Sequence, residues 1–321
     1  MPKGGSRKLK GENRKRAPVS ASRLFPITYY LLITTFSFQR ARPRWWQWLT
    51  VLSLDAPVVA LLWQWQLARV AGVVPGAPRV FVLGVSVWLA YAADRWIEGW
   101  RLAPGRIRTQ RHSFYQRNRW PIAAFWAALF AADLAAALTA LDRRALIAGF
   151  LLLIPVSAYL LSHQFVHRHR RWRLPKEACV ALLLGGGVAL FVVTAPAAAL
   201  RPLAGPFVLF VLLCFANCAL ISVWEKSVDE SHGQTSLARQ FRGAVIFGRA
   251  FPWLLAAAAL LAGGAATGAD RTAVLCAAAS GLLLALIDRL QPRIGWPMAR
   301  VLADVALMTP VVPLAACWFD R

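Results

Sequence analysis

Nine apolar stretches of about 20 residues each follow one another along this chain. A helix that crosses the hydrocarbon core of a bilayer needs about 20 mainly apolar residues. The candidate spans are 45–68, 77–97, 121–141, 145–162, 176–197, 205–225, 244–267, 272–288 and 299–317. Several are rich in Ala and Gly, as in Gly185-Gly186-Gly187 and Ala256 to Gly268, a composition that lets helices approach closely in lipid. The expected fold class is all-α integral membrane, with about nine transmembrane helices over 45–317 and a basic tail over 1–44. Within the tail, Phe25 to Phe38 is short, interrupted and without a small-residue cleavage site. An interfacial or re-entrant segment is expected there instead of a leader.

Charge placement gives the direction of the chain. Charged residues make up 16% of the sequence, against about 25% in an ordinary soluble domain. The net charge is +23, a surplus that in a soluble protein would suit nucleic acid. Here the Lys and Arg lie between apolar runs, where anionic lipid and the positive-inside rule account for them, so membrane lipid is the expected partner and nucleic acid is not. With the N-terminus inside, 29 Lys and Arg fall on the cytoplasmic side and seven on the other, leaving Arg249 within a span. The expectation is a multi-pass protein of a bacterial-type cytoplasmic (inner) membrane, N-terminus in and C-terminus out, with long cytoplasmic loops. The five Cys all fall in apolar segments without a CxxC, and read as packing residues. The Trp residues, among them Trp45, Trp46, Trp48, Trp96, Trp100 and Trp120, are expected mostly at span ends as an aromatic belt.

Acids are scarce, and four of them form two pairs of identical spacing. Asp94 and Glu98 close the second span; Glu225 and Asp229 close the sixth. A spacing of i, i+4 puts both carboxylates of a pair on one helix face. Both pairs are expected at cytoplasmic helix ends, where they could converge. Four converging carboxylates repel one another unless cations lie between them. Mg²⁺ suits such a set, because it takes one or two carboxylates plus substrate phosphates. The structural alternative matches each pair to nearby basic side chains such as Arg95 and Lys226.

With these motifs at these helices, the chain resembles the UbiA family of intramembrane prenyltransferases. The family's first motif, NDxxDxxxD, corresponds to Ala90-Tyr91-Ala92-Ala93-Asp94-Arg95-Trp96-Ile97-Glu98. Its second, DxxxD with a following Gly and a Thr-Leu-like pair, corresponds to Glu225-Lys226-Ser227-Val228-Asp229 with Gly233 and Thr235-Ser236-Leu237. Lys176 matches a family Lys ahead of Gly185 and Gly187. The resemblance implies a UbiA-like bundle and a Mg²⁺-dependent transferase that moves an isoprenyl group from an isoprenyl diphosphate to a lipophilic acceptor at the cytoplasmic face. Asp94, Glu98, Glu225 and Asp229 would hold Mg²⁺, with Arg95, Lys176 and Lys226 on the diphosphate. The chain departs from the pattern at Ala90 and Tyr91, which replace Asn and Asp, and at Glu225, which replaces Asp. Two rivals stand beside this reading: a non-catalytic lipid- or quinone-binding protein on the same scaffold, and a transporter using Asp55, Asp133 and Asp304.

Those three acids lie within spans, where an ionisable group is costly and points to function by default. Asp304, one turn after Arg300, is expected to pair with it; Asp55 precedes Ala56-Pro57, where a helix distortion is expected. Asp288 is expected to form an ion pair beside Arg289. Asp142, Asp270, Asp320 and Glu12 read as solvated. The basic loop from Arg101 to Arg119, with Arg106, Arg108, Arg111, His112 and Arg117, is expected to lie on anionic headgroups; the alternative is a cap that holds a diphosphate. His163, His167 and His169 lack flanking carboxylates and read as part of a basic cluster.

Overall fold

The computed structural model describes residues 43–101, 109–162, 175–232 and 235–319. Expectations about the tail 1–42, Arg106, Arg108, the 163–173 basic cluster, Gly233 and Asp320 fall outside these residues. Among the described residues the chain is helical, without a strand. A 3-10 turn (Trp45–Gln47) leads into α1 (Trp48–Val51), followed by α2 (Asp55–Val70), α3 (Ala77–Arg101), α4 (Gln110–Arg117), α5 (Arg119–Ala140), α6 (Arg143–Leu161) and α7 (Lys176–Val193). Next come α8 (Ala204–Trp224), α9 (Lys226–His232), α10 (Leu237–Gln240), α11 (Ala244–Ala265), α12 (Gly268–Ile294), α13 (Trp296–Ala306) and α14 (Val311–Phe319).

Seven of these helices are long and apolar enough to cross a membrane: α3, α5, α6, α7, α8, α11 and α12. Two bent helix pairs also pass the test together, so the described residues hold seven such helices, or the expected nine if each pair is one span. The chain bends by 75° between Trp45–Val51 and α2, and by 47° between α13 and α14. Proline explains both breaks. Pro57 has no N–H to bond the Ser53 carbonyl, and Pro310 none for Ala306, so neither helix continues through; Pro57 instead sits in the first turn of α2, where no donor is needed. Ser53 turns the first corner at φ 57°, a left-handed conformation unusual for a residue with a Cβ.

The second break frees the Leu307 carbonyl, and the fully buried Trp63 of α2 donates its Nε1–H to it at 2.8 Å. The Trp63 ring also stacks on Phe210 of α8, with centroids 4.8 Å apart. Trp63 is thus a core residue that ties three spans, not part of an interfacial belt. α2 packs on α3, α7, α8, α12 and α13, and α8 packs on α7, α11, α12 and α13, so these two helices carry the middle of the bundle. α5 and α6 bury little of their apolar surface against the protein and present Phe125, Leu151 and Ile154 outward, as lipid-facing helices do. Gly185 is required where α7 meets α8: a Cβ there would lie 2.5 Å from Val211 Cγ2.

Contacts between non-adjacent segments define the two ends of the bundle. At one, Arg79 pairs with Asp142, the Ala199 amide donates to the Ala71 carbonyl at 3.0 Å, and Gln66 donates to the Ala269 carbonyl at 3.2 Å. The other end gathers the C-terminal ends of α3 and α8, the N-terminal ends of α7 and α13, and the short helices α4, α9 and α10.

Candidate functional site

α4 closes this second end. Thr109 caps it, with Oγ1 facing the His112 amide at 3.5 Å. The helix lies on the end of α3 so closely that a Cβ on Gly99 would come within 3.3 Å of the His112 carbonyl and the Gln116 amide. Tyr115 O–H donates to Ser53 Oγ at 3.1 Å, fixing α4 to the corner between α1 and α2. The Arg101–Arg119 loop therefore folds into the protein at its described end, with Arg111, His112 and Tyr115 buried. Arg111 and His112 are thus taken into the protein, in place of the headgroup-lying position expected from charge, whereas Arg117 and Arg119 are exposed.

The two carboxylate pairs come to the same place. Glu98, Glu225 and Asp229 are buried and Asp94 is half-buried. Helical bonding continues across the α8–α9 junction, from the Asp229 amide to the Glu225 carbonyl at 2.8 Å, and holds that pair in register. Cations lie among the acids. Arg95 Nη1 stands 3.6 Å from Asp94 and 3.8 Å from Glu98. Arg95 also feels the charges of Glu225 and Asp55, and Lys176 those of Asp229, Glu177, Glu98 and Asp94. Arg239 donates to the Asp229 backbone carbonyl at 3.4 Å. Lys226, by contrast, is exposed, because one residue beyond Glu225 the helix points it away from the cluster.

Glu225 carries two guanidinium groups. Arg111 Nη2 donates to Oε2 at 3.3 Å and Arg300 Nη1 to Oε1 at 2.7 Å. Burial pushes the Glu225 carboxyl above its ordinary range, with Arg111 pulling it back toward the charged form. Arg300 is thereby taken from its expected partner: Asp304 instead accepts from Asn217 Nδ2 at 3.0 Å. Glu98 meets His112, whose Nε2 lies 2.6 Å from Oε2. Burial lowers the His112 pKa to about 4 despite that carboxylate, so the ring is neutral at pH 7. A neutral ring that donates from Nε2 to Glu98 accepts at Nδ1, and Thr109 Oγ1 sits 2.5 Å from that nitrogen.

Elsewhere, Asp133 accepts from Ser86 at 2.7 Å where α5 meets α3, away from the cluster. Asp288 accepts from Trp224 Nε1 at 2.8 Å and faces Arg249 at 3.8 Å, in place of the expected Arg289. Glu177 was not foreseen: it is buried and accepts the Leu237 amide at 3.0 Å, anchoring α10 to the start of α7. The signal for α4 was legible, since Thr109 is a good N-cap ahead of a polar turn. Nothing local in the sequence distinguished Arg300 as a partner of Glu225.

As arranged, these residues do not fit Mg²⁺. Glu225 is occupied by two arginines, Glu98 by His112 and Arg95, and Asp94 by Arg95. Among the described residues no three His, Cys, Asp or Glu side chains are grouped to hold a metal ion. The charge that convergence builds up is met by the protein's own cations.

No family model matches the chain, and no curated protein matches it. Among solved structures, the apo structure of a UbiA homolog from Aeropyrum pernix K1 is similar, with a TM-score of 0.52 and 16% identity, over 80% of this chain and 96% of that one. The fold is UbiA-like: a multi-pass helical membrane protein.

Proposed function

We propose that this protein transfers an isoprenyl group from an isoprenyl diphosphate to a lipophilic acceptor at the cytoplasmic face of a bacterial-type inner membrane. One observation carries the proposal: both carboxylate pairs are gathered with Arg95 and Lys176 into one buried polar cluster at the end of an otherwise apolar bundle. Arg95 and Lys176 receive the diphosphate. Asp94, Glu98, Glu225 and Asp229 hold the cationic groups in place, and the apolar helices accommodate the isoprenyl tail. The C1–O bond of the donor breaks, and its electron pair leaves with pyrophosphate. The acceptor's electron pair forms the new bond to C1, and the acceptor gives up a proton. Preorganised cations in a dry site favour this step, because they act where negative charge develops on the leaving group. The positive-inside bias supports the orientation, N-terminus in and C-terminus out. Lys226 is exposed and has no role here, and the diphosphate is met by guanidinium and ammonium groups.

The test uses membranes containing the wild type, Asp94→Ala or Asp229→Ala, supplied with farnesyl or geranylgeranyl diphosphate. Transfer is expected in the wild type and a loss of at least tenfold in each variant; full activity in both variants overturns the assignment. Farnesyl diphosphate is also expected to raise the unfolding temperature of the purified protein in EDTA.

A non-catalytic lipid or quinone binder is the second reading. It is favoured by Ala90 and Tyr91 in the first motif and by the pairing of the carboxylates with resident cations. It predicts no transfer and no protection by farnesyl diphosphate, with or without added Mg²⁺.

A further inference from the structure

Arg249 is a charge inside an apolar span, and it takes no part in the carboxylate cluster. It lies five residues into α11, about 7.5 Å along the helix axis. Its side chain is 54% exposed, on a helix face that otherwise turns Ile246, Trp253 and Leu260 outward. A cation at this depth is costly in hydrocarbon, so it must reach the headgroup layer or meet an anion.

The protein meets that need only in part. Asp288 of α12 faces Arg249 Nε at 3.8 Å, through the same Oδ1 that accepts Trp224 Nε1 at 2.8 Å. Arg289, the neighbour of Asp288, is exposed, and its guanidinium lies over the Trp253 ring, 5.6 Å from the centroid. Among the described residues no carboxylate forms an ion pair with Arg289. Trp253 stands one turn beyond Arg249 on the same face of α11 and is 37% exposed. Two guanidinium groups from two packed helices therefore flank one outward indole, and Asp288 is the carboxylate that pairs with either of them. Arg293, one turn nearer the end of α12 than Arg289, adds a third exposed cation.

We infer that the outward groove between α11 and α12 binds the phosphate of an anionic phospholipid, with Arg249 and Arg289 as its charged ligands. Trp253 is the platform that orients Arg289, since stacking on an indole fixes the plane of a guanidinium and its fork of donors. Asp288 is a positioning residue that holds Arg249 against α12. Basic positions between membrane helices at their cytoplasmic ends suit anionic headgroups. The occupant is a phospholipid, because its acyl chains cover Ile246 and Leu260 on the face where its headgroup meets the arginines. The site shares no residue with the carboxylate cluster and is independent of the transfer reaction.

Thermal unfolding of the full-length protein in dodecyl maltoside, titrated with dioleoylphosphatidylglycerol or dioleoylphosphatidylcholine at equal mole fractions, tests the site. Phosphatidylglycerol is expected to raise the unfolding temperature saturably, and phosphatidylcholine to raise it less. Apparent affinity for phosphatidylglycerol is expected to fall about fivefold or more in Arg249→Gln and in Arg289→Gln. It is expected to stay within about twofold in Lys226→Gln, which removes an equal charge from an exposed position at the same end of the bundle. Trp253→Leu keeps the surface apolar but removes the platform, so it is expected to weaken binding about threefold. That variant and Arg289→Gln carry the test if Arg249→Gln does not fold. Equal responses to the two lipids overturn the site, as do unchanged affinity in Arg289→Gln and Trp253→Leu or an equal loss in Lys226→Gln. A response to inorganic phosphate at constant ionic strength that the two arginine variants weaken as much assigns the groove to soluble phosphate and overturns the lipid.

Discussion

Glu225 holds Arg111 of α4 and Arg300 of α13 on the two oxygens of one buried carboxylate, so removing it leaves two buried cations without their partner. Breaking a buried pair by removing one member typically costs about 3–5 kcal/mol. Glu225→Ala is expected to lower stability by that order, and Asp94→Ala by distinctly less, because Asp94 is half-buried and stands 3.6 Å from Arg95. Thermal unfolding of the two variants in one detergent decides it. His112 gives a pH dependence. Its pKa is about 4 in the fold against 6.5 unfolded, so the unfolded chain takes up a proton first as pH falls. Stability from this ring is complete above pH 6.5 and is lost progressively down to about pH 4, on the order of 3 kcal/mol. The ring is faced by Glu98, Arg111, Arg95 and His232, and His112→Gln is expected to flatten the unfolding temperature over that pH window.

At the scale of the element, the three consecutive glycines of α7 are not equivalent. A Cβ at Gly185 meets a stiff Val211 methyl at 2.5 Å, whereas at Gly186 the nearest neighbour is 3.5 Å away, an ordinary contact. Gly186→Ala is expected to be neutral or to stabilise by up to about 1 kcal/mol through helix propensity. Gly185→Ala is expected to destabilise and to loosen the α7–α8 contact. The broken ninth span makes a similar point. Trp63→Phe keeps the stacking on Phe210 but strips the donor from the Leu307 carbonyl, and an unmatched buried acceptor costs about 1–3 kcal/mol. Unfolding temperatures of these three variants test both statements.

For the whole molecule, the charge bias predicts which end of the bundle faces the cytoplasm. In a background with the native cysteines replaced, Arg144→Cys is expected to react with a membrane-impermeant maleimide in intact spheroplasts, and Lys226→Cys only after permeabilisation. Both side chains are exposed, so the contrast reports sidedness. Labelling of both from outside would sink the topology.

Apolar run length and the spacing of Lys and Arg decided by themselves that this is a polytopic helical membrane protein. Bilayer thickness and backbone satisfaction leave so few alternatives that local composition suffices. The i, i+4 spacing likewise decided that each carboxylate pair shares a helix face, and Pro57 marked a helix distortion, because these effects act within a turn or two. Only the tertiary structure decided what the carboxylates meet. Arg300 lies 75 residues from Glu225 and Arg111 lies 114, and their pairing depends on how α4 and α13 dock at the end of α8. A charge in a low-dielectric site binds whichever opposite charge packing brings nearest. Arg300 therefore left its sequence neighbour Asp304, and Asp94, Glu98 and Glu225 meet arginine or histidine.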